Sequence, residues 1–354
     1  MATSDSPLSV PDLTLAVARG AQIAQPLVDA NFANGNTLST FDTNNIGFSW
    51  GDQSFTSVGV HPESGVNSLI FNYQATPPPN IGEAQAEARF NLGQQFTEVW
   101  TQFELYVPSN FKLRVIKVIA VDSGQDISGW LPGDAVVGGN SAEAIVWGVS
   151  GQTLYLLNPQ KAIFKDGYWS GVTLTNETRS LTATVAAGAS AYVHGSNNKF
   201  ATLWSGNYSG GPTTGGGGTL DVEYEGELDP VVAGAYEDTV LSCKSTETDT
   251  SPQTANLKSA ATPLAPAIDQ QTDPGTAIKY DFHWKRASAD GVDDGVCEVF
   301  KNEVLVYGRY DLPNYDTTMN YFERGYLLGY SNSGFDENTK FGISRFRVFD
   351  SKPF

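Results

Sequence analysis

Between Val99 and Val107 the side chains alternate without a break, Val99, Thr101, Phe103, Leu105 and Val107 against Trp100, Gln102, Glu104 and Tyr106. A period of two puts successive side chains on opposite faces of a strand and conflicts with the 3.6-residue period of an amphipathic helix. The same alternation sets Ala84, Ala86, Ala88 and Phe90 against Gln85, Glu87, Arg89 and Asn91. It returns in Ile278, Tyr280, Phe282 and Trp284 against Lys279, Asp281, His283 and Lys285. Long helical periodicity is nearly absent, and 36 glycines and 18 prolines punctuate the short runs as turns between strands do. The fold expected is all-β, an antiparallel sandwich whose strands carry one buried and one solvated face.

Texture divides the chain. Residues 1–28 combine small and polar residues with one short apolar stretch and read as an N-terminal arm. From about 114 to 195 small residues, Gly, Val and Thr dominate, and Trp130-Leu-Pro-Gly-Asp134 is echoed by Phe164-Lys-Asp-Gly-Tyr168. This stretch reads as an inserted small β domain, because Asn197-Asn-Lys-Phe-Ala-Thr-Leu-Trp204 resumes the earlier aromatic texture. The parent sandwich is then discontinuous, 29–113 and 196–354. Ser209–Gly218 and Ser245–Pro274 read as surface loops.

Charge and motif spacing exclude several classes. Lys and Arg number 21 against 39 Asp and Glu, and the formal charge of −18 opposes a nucleic-acid or anionic-membrane partner. The first residues lack the basic start and apolar run of a secretory signal, and no stretch reaches the roughly 20 apolar residues of a membrane span. Cys243 and Cys297 read as two buried free thiols. His61 and His194 sit beside turn residues with no Cys/His cluster, so a transition-metal site is not expected. Gly215–Gly218 runs into Thr219 and Leu220 without the Lys-Ser/Thr of a nucleotide loop. Asp221, Glu223, Glu225 and Glu227 read as an exposed acidic strand edge.

If the solvated faces of the matched strands line one concave sheet, it presents Arg89, Trp100, Gln102, Glu104, Tyr106, Lys279, His283 and Glu298 together. Sugar sites are built this way, aromatic faces stacking on rings and planar polar groups holding hydroxyls. Trp100, Glu104, Trp204, Lys279 and Glu298 are the glycan-binding candidates. Lyase chemistry on a uronate needs a group to neutralise the carboxylate, a base for the neighbouring proton and an acid for the leaving oxygen. Arg89 with Gln102, His283 and Tyr106 would fill those roles. The competing reading is a solvated decoration of the sheet, or a surface covered by the inserted domain.

Several stretches carry a resemblance: Val28-Asp-Ala-Asn-Phe32, Thr97-Glu-Val-Trp-Thr-Gln-Phe-Glu-Leu-Tyr-Val-Pro108, Asn198-Lys-Phe-Ala-Thr-Leu-Trp204, Asp294-Gly-Val-Cys-Glu-Val-Phe-Lys-Asn302, Gly325-Tyr-Leu-Leu-Gly-Tyr-Ser-Asn-Ser-Gly334 and Thr339-Lys-Phe-Gly-Ile-Ser-Arg-Phe-Arg-Val348. Together they resemble the concanavalin A-like lectin/glucanase jelly roll as it occurs in polysaccharide lyases and in bacteriophage virion proteins. The inserted segment resembles small β modules of viral structural proteins. The resemblance implies a jelly roll and, since such sandwiches often hold a structural calcium near the chain ends, names Asp29 and Asp350 as its oxygen donors; no other cofactor is expected. The family's Glu-x-Asp-x-(x)-Glu glycosidase strand is missing. The function implied is a structural or accessory virion component, a decoration, fibre or tail protein. It would assemble as a homo-oligomer with other virion proteins in the host cytoplasm and touch surface polysaccharide. The alternative is a polysaccharide lyase acting on a uronate polymer.

Overall fold

The computed structural model describes residues 24–32, 46–76, 84–111, 116–138, 142–157, 171–187, 192–194, 197–205, 217–228, 236–246, 255–257, 266–317, 319–331, 334–335 and 337–354. Among them there are strands and turns and no helix. The first strands are β1 (Val28–Ala30), β2 (Ser49–Ser54), β3 (Thr56–Val60), β4 (Asn67–Tyr73), β5 (Ala84–Phe96) and β6 (Glu98–Val107). Next come β7 (Ile116–Ala120), β8 (Ala135–Gly138), β9 (Ala142–Ser150), β10 (Thr153–Leu157), β11 (Thr173–Asn176), β12 (Leu181–Thr184) and β13 (Tyr192–His194). The remainder are β14 (Asn197–Ser205), β15 (Gly217–Leu228), β16 (Tyr236–Thr246), β17 (Ala255–Leu257), β18 (Thr276–Lys285), β19 (Gly295–Lys301), β20 (Val304–Leu312), β21 (Phe322–Ser331) and β22 (Thr339–Phe349).

They form three antiparallel sheets. The first runs β20-β19-β18-β6-β22-β4-β3, with β1 paired to β22; the second runs β17-β16-β15-β14-β21-β5-β2. The chain passes repeatedly between the two, for example at Thr97, the single residue between β5 and β6. Alternation explains why they pack. Val99, Phe103, Leu105 and Val107 of β6 and Tyr280, Phe282 and Trp284 of β18 meet Phe200 and Leu203 of β14 and Ala86, Ala88 and Phe90 of β5 in one core. Phe103 lies at its centre, fully buried, with ring centroids 5.5 Å from Phe200, 5.8 Å from Tyr280 and 5.2 Å from Phe282. Each such side chain contributes about 1.5–3 kcal/mol through burial, so the aromatic residues that interrupt the sequence are what holds the sheets together. The architecture is the all-β antiparallel sandwich that the alternation implied, with the jelly-roll arrangement that the resemblance implied.

The third sheet, β12-β11-β8-β9-β10-β7-β13, uses only strands between β6 and β14 and has its own core around Trp130, Val146, Leu154 and Leu174. Its Trp130–Asp134 turn is tied down by Asp134, whose carboxylate accepts from Leu131 N–H (2.8 Å), Asn176 Nδ2 (2.8 Å) and Arg179 Nε (2.7 Å). Burial opposes ionisation of Asp134, but these donors outweigh it and hold its carboxyl below the usual range. The echo at 164–168 lies outside the described residues, as do positions 1–23 of the expected arm and most of the two expected loops.

Two details differ from expectation. The strand carrying Asp221, Glu223, Glu225 and Glu227 is not an edge, because β15 lies between β14 and β16; a row of like charges in sequence does not report whether a strand has one neighbour or two. Val28, assigned to the arm, is fully buried in β1, and Leu27 N–H donates to Val348 O (2.7 Å). Cys243 and Cys297 are both buried, as expected, and are not joined by a disulfide.

Candidate functional site

The sandwich has two outer faces, and the sequence-derived candidates are divided between them. On the first sheet the β6–β18 register sets Trp100 opposite His283, Gln102 opposite Asp281 and Glu104 opposite Lys279. His283 lies between two carboxylates, Nδ1 2.7 Å from Glu298 Oε2 and Nε2 2.8 Å from Glu98 Oε1. Each ring nitrogen of His283 thus meets a carboxylate oxygen. Tyr310 donates to the other oxygen of Glu298 (2.7 Å). The hydrogen bond from His283, foremost, lowers the Glu298 pKa against the effect of burial. Partial desolvation and that same carboxylate push Tyr310 up to about 12.

This face is closed upon itself. Trp100 stacks on His283 at 4.4 Å and 6°, and the edge of Phe354 covers it at 6.2 Å, leaving the indole 5% exposed. Trp100 is therefore not an open platform for a sugar ring. Gln102 donates to Asp281 Oδ1 (2.5 Å) and accepts from Arg347, so its amide is fully engaged. Lys279 pairs with Glu303 at 2.6 Å, and Glu104 accepts from Ser344 (3.2 Å). Tyr106 stands six residues along β6 from Trp100, roughly 20 Å at strand spacing, beside His61 and Glu63. It cannot share a substrate bond with His283. The buried His61 is structural: Nε2 meets Lys340 O (2.9 Å), and Nδ1 accepts from the N–H groups of Glu63 and Ser64.

Asp29 is also engaged. Arg345 donates to both its oxygens (2.7 and 2.6 Å), which lowers its pKa against the effect of burial. Asp350 accepts from Ser351 (3.0 Å). The calcium expected on Asp29 and Asp350 finds no open carboxylate at Asp29, because β22 carries two arginines there. Among the described residues no three His, Cys, Asp or Glu side chains converge as metal ligands.

Arg89 and Trp204 lie on the second sheet, across the core from His283, Gln102 and Tyr106, so the lyase grouping drawn from sequence does not form. Alternation distinguishes solvated from buried positions, but not one sheet from the other. On the second sheet Arg89 has other neighbours. The register sets Arg89 of β5, Tyr326 of β21 and Thr202 of β14 side by side, and beside them Asn91, Arg324 and Trp204. Their chain neighbours Ala88, Phe90, Gly325, Leu327, Ala201 and Leu203 face the core, so these six share the outer face. Trp204 and Tyr326 pack together at 5.7 Å and are 3% and 9% exposed, a recessed pair rather than a flat surface. Arg89 pairs with the buried Glu87.

Paired irregularities bring in a seventh group. The register of β14 shifts between Asn198 and Ala201 against β21 and between Lys199 and Ala201 against β15, and on β21 Leu328 has a positive φ of 54° beside Gly329 at 133°. Phe200 and Ala201, like Leu327 and Leu328, then face the core in succession. Bulges of this kind re-aim side chains, and here the result is Lys199 beside Tyr326. A β-carbon added to Gly329 would lie 3.0 Å from Lys199 Cβ and 3.1 Å from Tyr326 Cε2. Lys199 and Tyr326 escaped the sequence reading because two buried residues in succession break the period of two; the glycine after Leu328 was the available signal.

The outer face of β5, β21 and β14 thus gathers Lys199, Arg89, Arg324, Tyr326, Trp204 and Asn91, with Glu87 paired to Arg89 and Glu223 of β15 in register with Lys199. Arg324 and Arg89 bring positive charge to an anionic ligand there, and Tyr326 and Lys199, the latter in its neutral form, can exchange protons with it. A cavity of about 620 Å³ also opens in the third sheet, between Gln125, Trp130, Leu131, Val149 and Gln152. It gathers no comparable acid–base set, since its carboxylate, Asp126, accepts from Ser128.

No family model matches the chain, and no curated protein matches it. Among solved structures it is similar to the alginate lyase Aly36B, at 12% identity and a TM-score of 0.45 over 93% of this chain and 99% of that one. The alginate lyase vAL-1 from Chlorella virus aligns at 9% identity and a TM-score of 0.43, covering 89% and 100%. The carbohydrate recognition domain of Emp47p aligns at 9% identity and a TM-score of 0.38, covering 94% and 99%.

Proposed function

We propose that the chain is a polysaccharide lyase that cleaves a uronate-containing polymer on the outer face of β5, β21 and β14. The observation that carries this reading is the convergence of Arg89, Arg324, Lys199 and Tyr326 on adjacent register positions. Arg324, with Arg89 beside it once released from Glu87, neutralises the uronate carboxylate, which makes the proton on the adjacent carbon removable. Lys199, as the neutral amine, takes that proton and becomes an ammonium, and the electron pair left behind forms the carbon–carbon double bond. The bond to the glycosidic oxygen breaks, and Tyr326 delivers a proton to the departing oxygen. The two proton carriers differ in type, as one must accept while the other donates. Asn91 lies on the same face and offers its amide to a neighbouring sugar unit, while Trp204 is packed beneath Tyr326 and supports it.

The sequence also raised the expectation of a virion component, and a depolymerase carried on a particle would unite the two readings. The cation-and-tyrosine face is what favours the enzyme. The test is incubation of the full chain with alginate, glucuronan and pectate, following the absorbance of the unsaturated product. Product formation that falls by about 100-fold or more in Lys199→Ala and Tyr326→Phe, with His283→Gln retaining activity, supports the assignment. No product from any uronate polymer, or loss in His283→Gln alone, refutes it.

A further inference from the structure

The first sheet ends at β3, whose one strand partner among the described residues is β4. The ladder shows which of its backbone groups are spare. Asn72 N–H donates to Phe55 O (2.8 Å) and His61 N–H donates to Val66 O (2.9 Å). Hydrogen-bonded and non-bonded pairs alternate along an antiparallel ladder, so Phe55, Ser57, Gly59 and His61 bond inward to β4. Thr56, Val58 and Val60 therefore direct their N–H and C=O groups away from the sheet. Val60 and Phe55 are 61% and 59% exposed, and Val58 is half-buried against the core.

Open edges are normally guarded by charge, bulges or short length, and the other end of this sheet is guarded. There β20 carries Arg309 paired with Asp311 at 2.5 Å, and its register against β19 shifts twice. At the edge of the second sheet β2 carries Asp52 and a register shift against β5. By contrast β3 pairs with β4 in unbroken register, and Ser54–Val60 contains no charged residue in a chain of formal charge −18.

We propose that β3 is a dimerisation edge, at which two copies of the chain pair antiparallel about a two-fold axis through Val58 and join their first sheets into one. In this register Val58 faces its own counterpart, and Thr56 faces Val60 of the second copy. The outward groups of each copy are then consumed by those of the other, with about six hydrogen bonds, two for each cross-strand pair. The pairs so formed are Val with Val and Thr with Val, β-branched combinations that suit a sheet. A second copy is the occupant that the strand fits. Its outward set is complementary to itself, a two-fold contact closes rather than polymerises, and the uncharged strip is where two strongly acidic chains approach with least repulsion.

The experiment is light scattering coupled to size exclusion on the full chain, with Val60→Pro and Val60→Lys compared at equal concentration. Val60 makes no inward hydrogen bond, so proline there removes an outward donor and leaves the β3–β4 ladder intact. The expected result is a dimer mass for the native chain and a monomer mass for both variants. Amide exchange at Thr56, Val58 and Val60 should be slow in the dimer and fast in the variants. If Val60→Pro fails to fold, Val60→Lys decides, since it keeps the backbone donor and only adds charge. A monomeric native chain, or a dimer that persists in a folded variant, overturns the proposal.

Discussion

Gly329→Ala tests the fold and the site together. Gly329 has φ of 133°, where an L side chain is strained, and its added methyl would meet Lys199 Cβ at 3.0 Å and Tyr326 Cε2 at 3.1 Å. Strain from the backbone costs about 1–2 kcal/mol, and forcing a methyl into filled space adds about 1–3 kcal/mol, so the loss expected is about 2–5 kcal/mol. Gly65→Ala is the matched control: its φ is 69°, but nothing lies within 4 Å of the new carbon, and only the strain of about 1–2 kcal/mol remains. Urea unfolding of the three proteins measures the difference. Turnover of a uronate polymer supplies the second readout, because the methyl displaces the two proton carriers. A shift of about 1 Å there lowers the rate by about 100-fold, whereas Gly65→Ala retains it. Equal losses of stability in the two variants would refute the packing of Lys199 and Tyr326 around Gly329, and unchanged turnover in Gly329→Ala would refute their place in the chemistry.

The remaining predictions concern stability. Asp281 is fully buried and one of its oxygens has no hydrogen-bond partner; burial, foremost, raises its pKa while Gln102 opposes the rise. An acid whose folded pKa lies above its unfolded one destabilises the fold at neutral pH, and the penalty lifts as pH falls through the folded pKa. Asp281→Asn should therefore stabilise the chain by about 1 kcal/mol or more at pH 7, with the gain shrinking in acid; a loss at pH 7, or a gain that grows in acid, contradicts that sign. Phe103→Ala removes the ring that touches Phe200, Tyr280 and Phe282, and denaturant unfolding should show a loss of about 3–5 kcal/mol.

How much of this was legible in the sequence depends on which physical rule the residues obey. The strands at 84–90, 99–107 and 278–284 were legible because each obeys a strict period of two, and the structure buries the positions so identified. The pairing of β6 with β18 was legible only as two solvated faces of similar texture. Register then made Trp100 and His283 neighbours, and the tail at Phe354 covered them, neither of which local alternation encodes. Arg89 was correctly placed on a solvated face but grouped with the wrong partners, since sheet membership is decided by long-range pairing between β5 and β21. The same rule hides the candidate site. Lys199 and Tyr326 meet because β14 and β21 each depart from alternation at adjoining positions, and a departure in one strand looks like noise until its partner strand departs beside it. Register shifts of this kind cost ladder hydrogen bonds wherever they occur, and β19 and β20 carry two more beside Glu298. The convergence of cations and a tyrosine beside the irregularities of β14 and β21 is the reason for proposing the chemistry there.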